Sequence, residues 1–171
     1  MATFYMVCGP SGCGKSHFAK EFISQHHDIC YVSSDALRKE ILGDESDQTN
    51  GNLIFSNVRR RLVKGLRDGH DVFFDATNLT AARRKHYIEL CRNAGADKCV
   101  CFAFYTDQKG SRMNQKLRER KVPNDVIARQ CLQYKLPTER EGWDEVQYLL
   151  TYRSDSEDEY AAVCQKFSFK T

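Results

Sequence analysis

The chain reads Gly9-Pro10-Ser11-Gly12-Cys13-Gly14-Lys15-Ser16 directly after an apolar run from Phe4 to Cys8. This octapeptide matches the pattern G-x-x-x-x-G-K-[ST] in full, and the residues from Lys15 to His26 have the composition of a helix. The glycines let the backbone turn tightly, so that successive N–H groups point inward, where the dipole of the following helix adds positive potential. Strand, glycine-rich turn and helix in this order predict a phosphate-binding loop.

The side chains of this loop have separate expected roles. We expect Lys15 to reach the β- and γ-phosphates of ATP and the Ser16 hydroxyl to bind Mg²⁺. The Cys13 thiol lies among backbone donors at a helix N-terminus, which should lower its pKa. The residues expected to contact the nucleotide are Gly9, Ser11, Gly12, Cys13, Gly14, Lys15, Ser16 and His17. The loop predicts nucleotide binding but not the acceptor, because ATPases, GTPases and kinases share it.

Short apolar runs alternate with helical stretches along the rest of the chain. The predicted strands are Phe4–Cys8, Ile29–Val32, Val72–Phe74, Cys99–Tyr105 and Glu145–Leu150. The predicted helices are Lys15–His26, Asp35–Leu42, Asn52–Leu66, Thr80–Asn93, Lys109–Arg120 and Asn124–Tyr134, and the tail after Ser154 fits a helix and a short strand. This alternation predicts one three-layer α/β domain over residues 1–171, with a parallel sheet covered on both faces.

Charge is distributed unevenly along the chain, whose formal net charge is +3. The segment from Gly51 to Lys135 contains 18 Lys and Arg against 8 Asp and Glu, whereas the remainder contains 8 against 15. A basic middle favours a polyanionic partner along one face, although solvated basic helices would give the same count. The eight cysteines include no C-x-x-C pair, and neither a signal peptide nor a membrane span is recognisable, so we expect reduced thiols in the cytoplasm.

Asp35 and Arg38 follow the second predicted strand, in the stretch Val32-Ser33-Ser34-Asp35-Ala36-Leu37-Arg38. The carboxyl edge of an open α/β sheet faces the active crevice, and residues three apart on a helix share a face. A carboxylate placed there can accept the proton of an attacking hydroxyl, and a guanidinium can bind an acceptor phosphate. The alternative is structural, with Asp35 capping the helix and Arg38 pairing with it.

Asp75 ends the third predicted strand, as the acid of a Walker-B strand does. We expect it either to hold Mg²⁺ through water or to support the loop and the Asp35 region, and we expect Asn78 to be a turn residue. Basic residues crowd the segment before Val122-Pro123-Asn124. Phosphoryl transfer needs positive charge over the γ-phosphate, and Arg118 and Arg120 are the candidates for it.

Taken together, these segments resemble the 5′-kinase domain of phage and bacterial polynucleotide kinases. The matching pieces are G-P-S-G-C-G-K-S, S-S-D-A-L-R, F-D-A-T-N-L and R-E-R-K-V-P-N-D-V-I, in the family's order from Phe4 to Tyr134. The resemblance implies a P-loop kinase fold with sheet order 2-3-1-4-5 and a helical lid near Arg118. It implies these roles: Asp35 as general base, Arg38 on an acceptor phosphate, Arg118 or Arg120 on the donor phosphates, and Val122 against the terminal base. The lid spacing departs from the family pattern, so both lid arginines stay candidates.

The expected reaction is therefore transfer of the γ-phosphate of ATP, with Mg²⁺, to the 5′-hydroxyl end of DNA or RNA. One alternative is a P-loop kinase with a small-molecule, nucleoside or tRNA-linked acceptor. Another is an ATPase that binds nucleic acid without transferring phosphate to it. Asp35 argues against the ATPase, because a switch ATPase needs no carboxylate aimed at an acceptor hydroxyl. The basic middle argues only weakly against a neutral small acceptor.

Overall fold

A computed structural model of the chain describes residues 1–26, 28–105, 122–150 and 165–167. Its strands are β1 (Ala2–Cys8), β2 (Ile29–Ser33), β3 (Asp71–Asp75), β4 (Ala96–Tyr105), β5 (Glu145–Leu150) and β6 (Gln165–Phe167). Its helices are α1 (Lys15–Gln25), α2 (Ser34–Leu42), α3 (Gly51–Arg67), α4 (Ala81–Asn93) and α5 (Asn124–Gln133), with a short 3-10 turn at Glu139–Glu141.

The described strands form one sheet in the order β2-β3-β1-β4-β5-β6. The first five run parallel to their neighbours, which confirms the predicted order 2-3-1-4-5. The short strand predicted in the tail after Ser154 is present as β6, which pairs antiparallel with β5 at the edge of the sheet, whereas the helix predicted in that tail lies outside the described residues. The chain therefore has the P-loop NTPase and kinase fold.

Side chains alternate between the two faces of this sheet, and helices cover both. Phe4 and Met6 of β1 belong to an apolar cluster with residues of α3 and α4, whereas Val7 lies in a second cluster with Ala19 of α1. All four residues of the predicted apolar stripe of α3 are buried: Ile54, Val58, Leu62 and Leu66. This arrangement confirms the predicted three layers.

The element bounds differ from the prediction mainly where β1 meets β4. β4 begins at Ala96 instead of Cys99, and β1 begins at Ala2 instead of Phe4. The two strands are longer for the same reason, because the added residues pair with each other and Ala2 lies opposite Ala96. The Ala2 N–H also donates to Asp97 Oδ2 at 2.7 Å. β4 thus begins with a largely polar stretch, and no apolar run in the sequence predicts a strand there.

The carboxyl ends of three parallel strands meet at the same level of the sheet. Asp75 at the end of β3 lies opposite Val7 of β1 on one side and Ser33 of β2 on the other. The phosphate-binding loop, Asp75 and the start of α2 therefore share one edge, as expected for the active crevice of an open α/β sheet.

Candidate active site

The glycine-rich loop after β1 has the backbone that its sequence predicts. Gly9, Gly12 and Gly14 all have positive φ, at 153°, 85° and 97°. A Cβ on Gly9 would lie 2.8 Å from Cys13 Sγ and 3.0 Å from Phe104 Cβ, so no other residue fits there without movement. Gly14 precedes α1, and no side chain caps that helix. Among the described residues, no side-chain oxygen thus occupies the helix N-terminus, which is where an anion would bind.

Lys15 is held against its own loop. Its side chain is buried, and Nζ donates to the carbonyl of Pro10 at 2.7 Å and contacts Cys13 Sγ at 3.5 Å. A buried ammonium needs polar partners, and the loop carbonyl provides one. The charge is therefore positioned within the loop that is expected to receive phosphates.

The expected lowering of the Cys13 pKa is wrong. Cys13 is fully buried, and this burial raises the pKa of its thiol, while the neighbouring Lys15 charge and N–H group only partly oppose the rise. The helix N-terminus argument took account of the local dipole but not of the loss of water. The seven cysteines among the described residues are free thiols, and Cys13 is one of the five that are buried.

Through its side chain, Asn78 stabilises the end of β1, just before the phosphate loop. It has the positive φ of a turn residue, at 47°, but its side chain is fully buried and Nδ2 donates to the carbonyls of Val7 at 2.9 Å and Ala76 at 3.3 Å. The turn prediction therefore missed a structural role. The loop's first residue is fixed from the same segment, because the Gly9 N–H donates to the Thr77 carbonyl at 2.9 Å.

A buried ion pair holds the segment that contains Asn78. Arg84 Nη1 donates to the carbonyls of Asn78 and Leu79, each at 3.0 Å. The same guanidinium makes two bonds to the Glu141 carboxylate, at 2.7 and 2.6 Å. The sequence contained a signal for this arginine, since Arg84 occupies a core position of α4, four residues before the buried Ile88.

Asp75 and Ser16 line the same cavity and supply the oxygen ligands that Mg²⁺ prefers. Asp75 is buried and accepts a hydrogen bond from the Tyr31 hydroxyl at 2.7 Å. Burial and the Asp75 charge raise the pKa of Tyr31, which stays a donor. No group of three or more His, Cys, Asp or Glu in the described ranges could hold a metal alone. A magnesium ion bound together with nucleotide phosphates needs only one or two protein carboxylates, so these residues fit it.

Arg38 and Asp35 face each other as their spacing predicts. Arg38 Nη1 donates to Asp35 Oδ1 at 2.9 Å, with the Arg38 side chain 8% exposed and the Asp35 side chain 52% exposed. The residue that caps α2 is Ser33, whose hydroxyl accepts from the Ala36 N–H at 3.3 Å. The alternative was that Asp35 caps the helix and pairs with Arg38. The ion pair is present, but Ser33 and not Asp35 caps the helix.

A cavity of about 680 Å³ joins the phosphate loop to the Asp35 region. From the loop, its lining includes Ser11, Gly12, Gly14, Lys15 and Ser16, whereas Gly9, Cys13 and His17 are not among the described residues that line it. Its other predicted members are Asp35, Arg38, Asp75 and Val122. The predicted helix Lys109–Arg120 and both lid candidates, Arg118 and Arg120, lie outside the described residues.

Several cavity residues had no role in the sequence analysis, and three of them contribute large side chains from helices. Phe55 of α3 and Arg83 of α4 form one wall, and Gln130 of α5 forms another. The Gln130 side-chain oxygen accepts from the Ser11 N–H at 2.7 Å, which docks α5 onto the phosphate loop. These contacts join helices that are far apart in the sequence, so no local motif reports them.

The sequence of this chain matches the model of a known protein family. The family model for an AAA domain matches residues 4–137. No curated protein sequence is a significant match. Within the described parts of the chain, no helix has the length and apolar character needed to cross a membrane.

Several solved structures share the fold. Two structures of the Pnkp1/Rnl/Hen1 complex, one described as an RNA repair complex, have TM-scores of 0.57 and 0.69 at 22% and 18% identity, over 63% and 77% of this chain. This chain spans only 37% and 43% of those chains. A fungal RNA kinase has a TM-score of 0.62 at 13% identity, covering 93% of this chain and 80% of its own. A gluconokinase from Sinorhizobium meliloti 1021 has a TM-score of 0.59 at 16% identity, covering 89% and 84%.

Proposed function

This chain belongs to the AAA domain family, and on that premise we propose that it transfers the γ-phosphate of ATP to the 5′-hydroxyl end of a nucleic acid. The observation that carries the proposal is Arg38, a buried guanidinium in the wall of the cavity that also contains the phosphate loop. Its Nε has no hydrogen-bond partner among the described residues.

A buried arginine with an unused donor favours an anion in the cavity. A buried polar group without a partner costs free energy, and Asp35 satisfies only Nη1 of this guanidinium. The guanidinium fork matches the oxygens of a phosphate. A nucleic acid end presents a phosphate next to its 5′-terminal nucleoside, so binding of that phosphate at Arg38 would bring the 5′-hydroxyl near Asp35.

Asp35 is the general base of this proposal. Its half-exposed carboxylate lines the cavity and is oriented by the hydrogen bond from Arg38. The carboxylate would accept the proton of the 5′-hydroxyl as that oxygen attacks phosphorus. Val122, which lines the same cavity, offers an apolar surface for the terminal base.

The donor side consists of the loop, Lys15, Ser16 and Asp75. Backbone N–H groups of the loop would hold the β-phosphate, and Lys15 would bind the β- and γ-phosphates. Ser16 and Asp75 would hold Mg²⁺, which when bound neutralises charge on the phosphate oxygens. Arg118 or Arg120 stays the prediction for the lid arginine.

The structural relatives support both the proposal and its main competitor. An RNA repair complex and a fungal RNA kinase share this fold, and so does a gluconokinase. The competitor is therefore a kinase of a small hydroxylated acceptor. Arg38 favours the nucleic acid over a neutral acceptor, which would leave the buried guanidinium with an unused donor. The carboxylate of gluconate could also bind Arg38, so the transfer assay includes gluconate as an acceptor.

The test is a transfer assay with labelled ATP and four acceptors: a 5′-hydroxyl oligonucleotide, a nucleoside 3′-monophosphate, the bare nucleoside, and gluconate. We expect the first two to be the good acceptors, and we expect Arg38→Ala to remove most of the preference for the 3′-monophosphate over the nucleoside. Lys39→Ala is the matched control, since Lys39 is exposed on the same helix and its loss changes the charge equally.

Three results would overturn the proposal. Efficient labelling of gluconate with none of the oligonucleotide would favour the small-molecule kinase. ATP hydrolysis stimulated by nucleic acid without labelling of its 5′ end would favour the ATPase. Equal damage by Arg38→Ala to nucleoside and nucleotide acceptors, in a variant that melts at the wild-type temperature, would remove the acceptor-phosphate role.

A further inference from the structure

A stacked pair of side chains, Phe55 and Arg83, continues the cavity wall beyond Arg38. We propose that Arg83, held on the Phe55 ring, binds the second phosphate of the acceptor strand and so makes the site prefer chains of two or more nucleotides. This inference rests on the proposed function, because it concerns the same acceptor.

One aromatic ring brings the two arginines together. Arg83 Cζ lies 3.9 Å from the centroid of the Phe55 ring, and Arg38 Cζ lies 5.8 Å from the same centroid. Their guanidinium carbons are therefore within about 10 Å of each other. All three side chains line the cavity. Two guanidinium groups in one cavity wall favour binding of an anion there, although Asp35 already pairs with one of them.

The stacked geometry leaves Arg83 able to bind an anion. A cation–π contact uses the face of the guanidinium, whereas its N–H groups point outward in the plane of the group. The buried Tyr87 lies close to both Arg83 and Arg59, whose positive charges partly oppose the rise in its pKa that burial causes. Tyr87 therefore carries no negative charge at neutral pH and does not neutralise Arg83.

Arg83 differs from several surface arginines. In the described ranges, no carboxylate forms an ion pair with Arg83, whereas Arg61 pairs with Glu40, Arg92 with Asp144, and Arg129 with Asp125. In the cavity wall, Arg38 pairs with Asp35 through Nη1, and its Nε has no hydrogen-bond partner among the described residues. Repeated negative charge is what a nucleic acid strand supplies, because each nucleotide adds one phosphate.

The competing interpretation is that Arg83 only joins α3 to α4. A structural bridge of that kind would affect stability and all acceptors alike. Phosphate binding would affect only acceptors that have a second phosphate. The number of phosphates on the acceptor therefore separates the two interpretations.

The experiment measures kcat/KM for a nucleoside 3′-monophosphate and for a dinucleotide with a 3′-phosphate, which has two phosphates. For the wild type we expect the dinucleotide to be the better acceptor by about tenfold or more, the usual effect of a hydrogen bond to a charged group. In Arg83→Ala this ratio should fall towards one. The slope of log affinity for an oligonucleotide against log salt should also decrease by about 0.7. Lys85→Ala, an exposed charge on the same helix, should keep the wild-type ratio.

Two further variants test the same inference without depending on Arg83→Ala. Arg83→Lys keeps the charge but not the planar fork, so we expect an intermediate ratio. Phe55→Leu keeps an apolar side chain but removes the stacking surface, so we expect a reduced ratio even if Arg83→Ala fails to fold. An unchanged ratio in a folded Arg83→Ala protein, or in Phe55→Leu where Arg83→Ala does not fold, would overturn the inference while leaving the proposed function intact. A wild-type enzyme that labels no nucleic acid would overturn both.

Discussion

Replacing Glu141 by glutamine should weaken the molecule more than any exposed charge substitution. Glu141 accepts two hydrogen bonds from Arg84, whose side chain is 0% exposed, while its own is 7% exposed. Glu141→Gln keeps the size of the side chain but removes the charge that balances the guanidinium. Breaking a buried pair from one side typically costs about 3–5 kcal/mol, because the remaining charge stays buried without compensation.

The measurement is urea unfolding followed by circular dichroism or fluorescence. With a slope of about 2 kcal/mol per molar urea, a loss of about 4 kcal/mol lowers the midpoint by about 2 M. ATP affinity should fall as well, because Arg84 fixes the Asn78 carbonyl and Asn78 fixes Val7 beneath the phosphate loop. Weakening of nucleotide binding in a still-folded variant would show that the ion pair positions the loop.

Two comparisons make this prediction refutable. Glu139→Gln removes an exposed charge from the same 3-10 turn and should change the unfolding free energy by less than about 0.5 kcal/mol. The double variant Arg84→Met with Glu141→Leu should recover part of the loss, since it leaves no uncompensated buried charge. Recovery should be incomplete, because the Asn78 and Leu79 carbonyls lose their Arg84 donor. If Glu141→Gln costs less than about 1 kcal/mol, Arg84 finds another compensating partner and the reasoning fails.

Other predictions concern the catalytic groups and pH. Lys15→Ala and Ser16→Ala should stay folded and lose turnover by about 10²–10³-fold, because each removes an electrostatic contact to the donor; near wild-type turnover would contradict the loop assignment. Asp35→Asn should keep ATP affinity and lose turnover by about 10²-fold or more, whereas activity lost in Asp75→Asn should return at high Mg²⁺. Burial raises the pKa of Cys99 from 9.0 to about 11, so the folded state holds this proton after the unfolded state has released it. The contribution of Cys99 to stability is complete below pH 9.0 and is lost as pH rises towards about 11. Between these values the free energy of unfolding should fall by up to about 1.4 kcal/mol per pH unit. Cys99→Ala should reduce this dependence on pH in unfolding experiments.

The fold could be predicted from the sequence because its signals are local. The phosphate loop has a fixed pattern between a strand and a helix, and the strands β2 and β3 are short apolar runs with clear ends. The extension of β1 and β4 could not be predicted, since Asp97 and Lys98 are polar and Lys98 pairs only because Thr3 of β1 lies beside it. A short strand in the tail was predicted, but its antiparallel pairing with β5 depends on a contact that the local sequence does not report.

The candidate site could be predicted where a local motif marks the residue or where one element contains both partners. The residues that were predicted from their own segments and that line one cavity are Lys15, Ser16, Asp35, Arg38, Asp75 and Val122. The spacing of Asp35 and Arg38 placed them on one helical face, and the structure shows the hydrogen bond between them. Arg83, Phe55 and Gln130 enter the cavity from three different helices, and their approach depends on helix packing across the whole domain. Local reasoning also misjudged environments that depend on burial, as it did for Cys13.

The strand order places the groups of the proposed donor and acceptor sides at one edge of the sheet. β3 lies between β1 and β2, so Asp75 at its end lies between the loop that follows Val7 and the helix that follows Ser33. Adjacent strands are about 4.8 Å apart, which separates the ends of β1 and β2 by about 10 Å. In the proposed reaction, this gap would separate the loop that binds the donor phosphates from the helix that contains the general base, with Asp75 between them.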